Sequence, residues 1–180
     1  MSYFRKFPLM AYSVNNDDQY KLVRNILKRV KMRAATKAGL FLYDKYDVPE
    51  GETPESVAFR IYGSADYHWI ILMTNDVKDR YYDWPMTQPQ FQQYIEDKYG
   101  VGESDSIHHY EIAQSSGPTS GNGPEDYTHL VEVNSDESGA TAITNREYEQ
   151  RIQDQKRQIR ILDKRYVSQF IEEFEKLIQE

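Results

Sequence analysis

The clearest hydrophobic pattern in the chain predicts a strand followed by two helices. Residues 46–48 have an extended Tyr-x-Val pattern, and a Gly-Glu-Thr turn separates them from an apolar stripe at helical spacing. Thr53 is a favourable N-cap, Pro54 suits the first helical position because its missing N–H costs nothing there, and Gly63 supplies a left-handed stop. Residues 66–73 continue with a second, shorter helical pattern.

The first forty residues divide into an arm and a basic helix. Residues 2–14 are aromatic and apolar without helical periodicity, which predicts an extended arm that must bury against something. Asp17 or Asp18 can cap a helix that runs to about Arg33. Its apolar stripe has three- and four-residue spacing, with Lys and Arg on the other face, and consists of Leu22, Val23, Ile26, Leu27 and Val30.

Strand patterns recur through the middle of the chain. A short strand is expected at residues 81–84, and two more at 107–112 and 127–133, which can pair as a hairpin. The segment between this pair, residues 113–126, is rich in Gly, Ser and Pro, so we expect a flexible, exposed loop. A second polar loop is expected at residues 134–141.

Capping signals mark the helices of the second half. Two Thr-x-x-Gln/Glu sequences, beginning at Thr87 and Thr144, have the spacing of a capping box, and Gly100 ends the first of these helices. The second helix leads into a strand pattern at residues 158–162. The final helix follows Asp163 and is amphipathic, with the apolar residues Val167, Phe170, Ile171, Phe174, Leu177 and Ile178.

Together these elements predict an α+β fold without internal repeats. We expect four segments. They are an N-terminal arm with a basic amphipathic helix (1–39), a strand–helix–helix–strand domain (40–86), a helix with a β-hairpin (87–143), and a helix–strand–helix segment (144–180).

Composition narrows the class of protein. The 180 residues include 15 Tyr and no Cys, and 39% are hydrophobic. Tyr combines a large apolar body with a polar tip, which suits partly solvated contact surfaces. The absence of Cys excludes disulfides and thiol catalysis. No apolar run approaches the roughly 20 residues of a membrane helix, and we expect no signal peptide because the N-terminus lacks an apolar core.

The net charge of −7 is unevenly distributed. Residues 1–40 carry nine Lys/Arg and two acids, residues 41–140 carry five and nineteen, and residues 141–180 carry eight of each. The basic arm therefore either folds back on its own acidic domain or reaches a neighbouring protein. Nucleic-acid binding is disfavoured because the acidic body repels phosphate and no aromatic residues interleave with the basic cluster.

The order strand–helix–helix, with a strand to follow, resembles the LysM domain. Over nearly its full length the chain resembles the baseplate wedge protein 53 family of contractile-tailed phages, small proteins built around a LysM-like domain. Three stretches carry the likeness: Tyr3-Phe4-x-x-Phe7-Pro8 with Tyr12; Gly51-Glu52-Thr53-Pro54-Glu55 through Tyr62-Gly63, His68-Trp69, Asn75 and Tyr82-Asp83-Trp84-Pro85; and Thr144-Asn145-x-x-Tyr148-Glu149 followed by Lys156-Arg157-x-Ile159-Arg160-Ile161-Leu162.

The resemblance implies a structural, non-catalytic subunit of a phage tail baseplate wedge, made in the host cytoplasm and located in the virion. Such a subunit bridges neighbouring subunits and helps to join wedges around the tail hub. The implied partners are other baseplate wedge and tail-hub proteins in a hetero-oligomeric assembly, with no nucleic acid, no membrane and no cofactor.

Apolar end segments supply candidate contacts for such a bridge. We expect the N-terminal arm and the C-terminal helix to be buried mainly in partners, while the middle of the chain acts as a compact spacer. Large aromatic residues are enriched at the energetic centres of interfaces. The expected interface anchors are Phe4, Phe7, Tyr12, Trp84, Phe170 and Phe174.

Glycan binding, as in peptidoglycan-binding LysM modules, is the alternative function. Sugar-binding members use the loop after the first strand and the loop before the last, which correspond to residues 51–54 and 75–79. The residues of this candidate vestigial LysM loop are Gly51, Glu52, Thr53 and Asn75. Pro54 replaces the usual apolar residue and the second loop lacks the Pro-Gly signature, which puts sugar binding in doubt. A turn with a helix cap also explains the first loop.

Catalytic and metal chemistry have little support in the sequence. Gly-x-Ser-x-Gly, P-loop and His-Glu-x-x-His motifs are absent, and no apolar pocket pattern surrounds any of the many acids. His108, His109 and His129 are candidate metal ligands, but adjacent strand residues point to opposite faces. We therefore expect no catalytic residue and no metal.

Overall fold

The computed structural model describes residues 3–13, 19–30, 42–113 and 129–179. The chain divides into two compact units: unit 1 consists of Met1–Pro85 and Arg157–Glu180, and unit 2 is Met86–Lys156. In the sequence, unit 2 is thus inserted between the two parts of unit 1. Helices and small antiparallel sheets confirm the α+β class, and the finer division into four segments stays a prediction.

The described part of the chain contains seven β-strands and five α-helices. They are β1 (Leu9–Tyr12), β2 (Lys21–Arg24), β3 (Tyr43–Asp47), α1 (Pro54–Tyr62), α2 (His68–Thr74), α3 (Gln88–Tyr99), β4 (Ile107–Ala113), β5 (Leu130–Val133), β6 (Thr141–Thr144), α4 (Asn145–Arg157), β7 (Gln158–Leu162) and α5 (Val167–Gln179). Short 3₁₀ turns cover Tyr3–Lys6, Ala65–Tyr67, Glu103–Asp105 and Lys164–Tyr166. None of the helices in the described ranges is long and apolar enough to cross a bilayer.

The caps of α1 confirm the pattern at the start of unit 1. The Thr53 hydroxyl accepts a hydrogen bond from the Ser56 backbone N–H at 3.3 Å, and the Ser56 hydroxyl accepts one from the Thr53 backbone N–H at 3.0 Å. This reciprocal pair is a capping box. Gly63 ends the helix at φ +80°, in the left-handed region where a residue without Cβ is favoured.

The strand predicted at residues 81–84 is wrong, because this segment forms a turn. The Asp83 carboxylate accepts hydrogen bonds from the backbone N–H groups of Lys78 and Asp79, both at 2.9 Å, and the Asp83 N–H donates to the Asp79 carbonyl. These local bonds use groups that a sheet ladder would need. The antiparallel partner of β3 is instead β7, in a register running from Tyr43↔Leu162 to Asp47↔Gln158.

The core of unit 1 combines both ends of the chain with its helices. The Trp69 ring of α2 lies 4.7 Å from that of Phe174 in α5 and 5.2 Å from that of Tyr3, and Phe7 is also buried. Buried aliphatic residues complete the cluster: Val48, Val57, Ala58, Ile70, Ile71, Ile159, Ile161, Leu162, Val167 and Ile178. The expectation that the end segments are buried mainly in partners is therefore wrong for Phe7 and Phe174.

The basic helix predicted to run to Arg33 is also wrong in its described part. Residues 21–24 form β2, which pairs antiparallel with β1 from Leu9↔Arg24 to Tyr12↔Lys21. A short apolar run fits both helical and strand periodicity, and a neighbouring extended segment with free backbone groups decides in favour of the strand. Residues 14–18 and 31–33 lie outside the described residues.

Unit 2 contains a three-stranded sheet with the order β5–β4–β6, and the helices α3 and α4. The predicted hairpin is confirmed, with Tyr110↔Val133 to Ala113↔Leu130 in register. The third strand, β6, begins at the end of the predicted polar loop. Both predicted capping boxes form, at Thr87–Gln90 and Thr144–Glu147. The flexible loop predicted at 113–126 lies, from residue 114 onward, outside the described residues.

Candidate interaction surface

The N-terminal hairpin, which comprises the described residues 3–13 and 19–30, exposes both of its faces. Side chains alternate between the faces of a strand. None of the side chains of β1 or β2 is buried, so neither face packs fully against the rest of the described chain. A two-stranded hairpin is marginally stable by itself in water, which makes this segment dependent on its attachment and on further contacts.

Apolar exposure is concentrated on this hairpin. Among the described residues, eight of the fifteen exposed large hydrophobic side chains belong to it: Phe4, Leu9, Tyr12, Tyr20, Leu22, Val23, Ile26 and Leu27. Leu22 is 75% exposed and Leu27, in the turn after β2, is 82% exposed. Scattered apolar side chains are ordinary on a protein surface, whereas a cluster in one short segment marks an interaction site.

The base of the hairpin is fixed to the rest of unit 1 through α5. Within the hairpin, the Arg24 guanidinium donates to the carbonyls of Arg5 at 2.5 Å and Phe7 at 2.7 Å, which joins its two segments. Gln179, at the end of α5, donates from Nε2 to the Lys6 carbonyl at 2.9 Å. The Lys6 ammonium also forms an ion pair with Glu175 of α5. With Phe7 buried in the core, these bonds hold the exposed strands in a defined position.

The hairpin is basic as well as apolar. Its described residues include six bases and no acid, the bases being Arg5, Lys6, Lys21, Arg24, Lys28 and Arg29. Within the described part of the chain, only Lys6 of these six forms an ion pair. The surface therefore combines apolar contact area with an excess of positive charge, which favours an acidic partner.

The six predicted anchors fall into two groups. Phe4 and Tyr12 are each 50% exposed and belong to the hairpin. Phe7, Trp84 and Phe174 are buried within unit 1, and Phe170 is half-buried, with its ring 5.9 Å from that of Trp69.

The exposure of four hairpin residues was not predicted from the sequence. The predicted helix places them on its apolar stripe, whereas the structure exposes all four: Leu22, Val23, Ile26 and Leu27. Two apolar segments separated by the turn-prone sequence Asn-Asn-Asp-Asp were the signal for a hairpin.

A second patch of exposed apolar side chains lies on other elements of unit 1. It comprises Phe59 on α1 with Tyr81 and Tyr82 in the loop after α2. Arg80 donates to Glu55 at 2.7 Å, which attaches this loop to the first turn of α1. Phe59 lies one helical turn beyond Glu55, on the same side of the helix. We refer to these three aromatic residues as the second patch.

The residues of the candidate vestigial LysM loop are engaged inside unit 1. Gly51 occupies a turn at φ +75°, and Thr53 caps α1. Glu52 forms an ion pair with Arg60 and accepts a hydrogen bond from the Tyr46 hydroxyl at 2.6 Å. Burial, and then this bond to Glu52, raises the pKa of the Tyr46 hydroxyl. Gly51, Glu52 and Thr53 therefore have structural roles in the turn and at the start of α1.

Three further hydrogen bonds tie the predicted sugar loops to the fold. Trp84 donates from Nε1 to the Glu52 carbonyl at 2.7 Å, so this buried Trp holds the turn before α1. The Asn75 side chain bonds to the backbone of Arg160 in β7 as both donor and acceptor, each at 2.8 Å. The Glu52 carbonyl and the Asn75 side-chain amide are thus engaged in hydrogen bonds within the chain itself.

The histidines of β4 correct the expectation that they face opposite sides of the strand. Their Nδ1 atoms lie 2.8 Å apart, and both rings pack on Tyr148, with centroid distances of 4.0 Å for His108 and 5.7 Å for His109. A register shift between Ile107 and His109 breaks the alternation. His109 Nε2 lies 2.8 Å from Glu111. Among the described residues, no group of three or more His, Cys, Asp or Glu could hold a metal ion.

Among the described residues of unit 2, Glu149 is a buried acid, with 2% of its side chain exposed. It accepts hydrogen bonds from Lys98 and, at 2.7 Å, from the Tyr99 hydroxyl. Burial by itself raises the pKa of Glu149, but these bonds and the charges of Lys98 and Lys156 outweigh it and lower the pKa below the usual range. A carboxylate held ionised by donors of α3 is a structural link, because near neutral pH it has no proton to donate and is only a weak base.

Comparison with known proteins identifies the family. The family model described as base plate wedge protein 53 matches residues 1–118. A curated relative, the baseplate wedge protein gp53 of Enterobacteria phage T4, is 35% identical over 65 residues. That alignment covers 36% of this chain and 33% of the relative, so the chain spans about a third of the length of this relative. Because the family model covers well over half of the sequence, the chain belongs to the base plate wedge protein 53 family.

Proposed function

We propose that this chain is a non-catalytic structural subunit of a phage tail baseplate wedge that bridges neighbouring subunits and helps to join wedges around the tail hub. Its partners are other wedge and hub proteins. Family membership supports the baseplate role. The observation that carries the bridging role is the N-terminal hairpin, which is fixed at its base to α5 and exposes apolar side chains on both faces.

The energetics favour docking of the hairpin. Each fully buried Leu, Val, Ile or Phe side chain contributes about 1.5–3 kcal/mol, and association must offset about 4–15 kcal/mol of lost rotational and translational freedom. Burial of the eight exposed apolar side chains of the hairpin would contribute enough free energy to offset this cost. Its fixed base also lowers the ordering cost, since less flexibility is lost on binding.

A bridge needs a second docking surface, and the second patch supplies it. Phe59, Tyr81 and Tyr82 are aromatic residues of the kind that dominate interface energetics. They belong to α1 and its neighbouring loop, elements distinct from the hairpin. The sequence predicts the C-terminal helix as the other docking segment. Because Phe174 and Ile178 of α5 lie in the core, the second patch replaces that helix.

The experiment is incorporation of variant chains into particles. In one variant Leu22→Ser and Leu27→Ser are combined, which removes apolar area from the hairpin without touching the core. The matched control is Val101→Ser, a side chain of unit 2 that is 86% exposed. Both proteins should unfold at the wild-type temperature, but only the hairpin variant should be missing from purified particles. Normal incorporation of the hairpin variant would contradict the proposal.

The second patch is tested in the same way. Combining Phe59→Ser with Tyr81→Ser should leave the chain able to join one neighbour through its hairpin while wedges fail to associate. Partial assemblies that contain the variant should then accumulate. Complete baseplates formed at the wild-type rate would show that the second patch takes no part in bridging.

A further inference from the structure

We propose that the N-terminal hairpin docks on unit 2 of a second copy of this chain, by adding a strand to the exposed edge formed by β5. This inference rests on the proposed bridging function, since it assigns the partner of the hairpin. It connects two features that the bridging role alone leaves unused: the positive charge of the hairpin, and an exposed strand edge in the acidic unit 2.

The hairpin can supply the added strand. Within the described residues β1 pairs only with β2, so each has one side without a strand neighbour. Such an edge presents a row of backbone N–H and C=O groups that can pair with another strand. Leu9 and Tyr12 on β1, and Leu22 on β2, are exposed beside these edges and offer side-chain contacts as well.

The edge of the unit 2 sheet can accept that strand. In the order β5–β4–β6, β5 is at the edge, and among the described residues its one strand neighbour is β4. Leu130 and Val131 on β5 are exposed apolar side chains. An exposed apolar edge strand is the kind of element that another chain extends by pairing.

The charges of the two surfaces are complementary. The described residues of unit 2 include eleven acids and four bases, whereas those of the hairpin include six bases and no acid. Glu132 lies on β5, and Asp136 and Glu137 follow it in the next turn. None of these three forms an ion pair within the described residues, and the same holds for Lys21 and Arg29 of the hairpin. Opposite charges beside two strand edges that have no further strand neighbour among the described residues favour contact between the hairpin and the β5 edge.

The contact between the hairpin and β5 is heterologous, because the hairpin of one copy meets a different surface on the next copy. Repetition of a heterologous contact gives a closed ring when the rotation closes and an open filament when it does not. A ring of copies is the arrangement that would connect successive wedges around a hub.

Self-association of the full-length chain tests the inference. Sedimentation at low ionic strength should show concentration-dependent oligomers that dissociate as salt is added, because screening weakens exposed charge pairs. Two charge-reversal variants are compared: Lys21→Glu with Arg29→Glu on the hairpin, and Glu132→Lys with Asp136→Lys at the β5 edge. Each variant alone should associate about tenfold or more weakly than the wild type.

Mixing the two variants is the decisive step. Each hairpin then meets an edge of opposite charge, so equimolar mixtures should regain the affinity of the wild type. A cross-link between Leu22→Cys and Val131→Cys placed on separate copies should form in the same mixtures, since the chain has no Cys of its own.

Two outcomes overturn the inference: a monomer at all concentrations tested, or mixed variants that fail to recover. If, in either case, Leu22→Ser with Leu27→Ser is still excluded from particles, the hairpin docks on another protein. The bridging function then stands and only the second-copy assignment fails. If that variant is incorporated normally, the bridging function fails too.

Discussion

The side-chain amide of Asn75 forms two hydrogen bonds with the backbone of Arg160, one in each direction and both at 2.8 Å. Asn75 follows α2, and Arg160 lies in the middle of β7. The amide group therefore imitates a strand neighbour on the side of β7 that is not paired with β3. Its Nδ2 also donates to the Ile71 carbonyl at 2.9 Å. One side chain thus joins the two sequence-separated parts of unit 1.

Replacing Asn75 by Ala should lower the free energy of unfolding by about 1–3 kcal/mol, the usual effect of leaving buried or half-buried polar groups without their partner. Urea titration followed by circular dichroism measures this change. The control is Lys78→Ala, an exposed side chain nearby, which should stay within about 0.5 kcal/mol of the wild type. Equal effects of the two substitutions would show that the bonds to Arg160 do not stabilise unit 1.

The two phenylalanines at the N-terminal 3₁₀ turn should respond very differently to truncation. Phe7 is buried against Phe174, whereas half of Phe4 is exposed. Phe7→Ala should therefore destabilise the chain by about 3–5 kcal/mol, the range for buried Phe. Phe4→Ala should cost less than half as much. Thermal unfolding of both variants measures the difference. A Phe7→Ala protein as stable as the Phe4→Ala protein would instead support burial of the arm against partner proteins.

The buried Glu149 should give unit 2 an acid-sensitive contribution to stability. Because its pKa is lower in the folded chain than in the unfolded chain, the unfolded chain takes up the proton first as the pH falls. The contribution is thus complete above the ordinary Glu pKa of about 4.3 and is lost as the pH falls through the folded value.

The measurement compares wild type with Glu149→Gln in urea titrations at several pH values. At pH 7 the variant should be less stable by about 1–3 kcal/mol, because a charge-assisted bond to Lys98 is lost. The difference should shrink as the pH falls below the ordinary Glu pKa. Asp154→Asn, which changes an exposed acid of the same helix α4, is the matched control. A difference that stays constant with pH would mean that Glu149 acts through packing alone.

Local signals in the sequence predicted the helices of both units well. The caps at Thr53, Thr87 and Thr144, and the glycine stops at Gly63 and Gly100, depend on residues within a few positions of one another. Their geometry is set by backbone bonds inside a single turn. For this reason α1, α3 and α4 begin where the sequence places them.

Contacts between distant residues could not be predicted in the same way. The strand pattern of β7 was evident, but its pairing with β3 spans the whole of unit 2, and periodicity does not specify a partner. The helix predicted over β2 failed because its spacing matched both structures until β1 provided a partner. The shared side of His108 and His109 depends on a register shift, which composition does not reveal.

The central claim, that the N-terminal hairpin is buried in the assembled baseplate, is tested most directly by hydroxyl-radical labelling of side chains. Labelling of Leu22 and Leu27 is compared between the free chain and purified baseplates, with Val101 as the internal reference. We predict that labelling of both leucines falls at least severalfold on assembly while Val101 changes less. Equal labelling of Leu22 and Leu27 in the free chain and in the baseplate would contradict the claim.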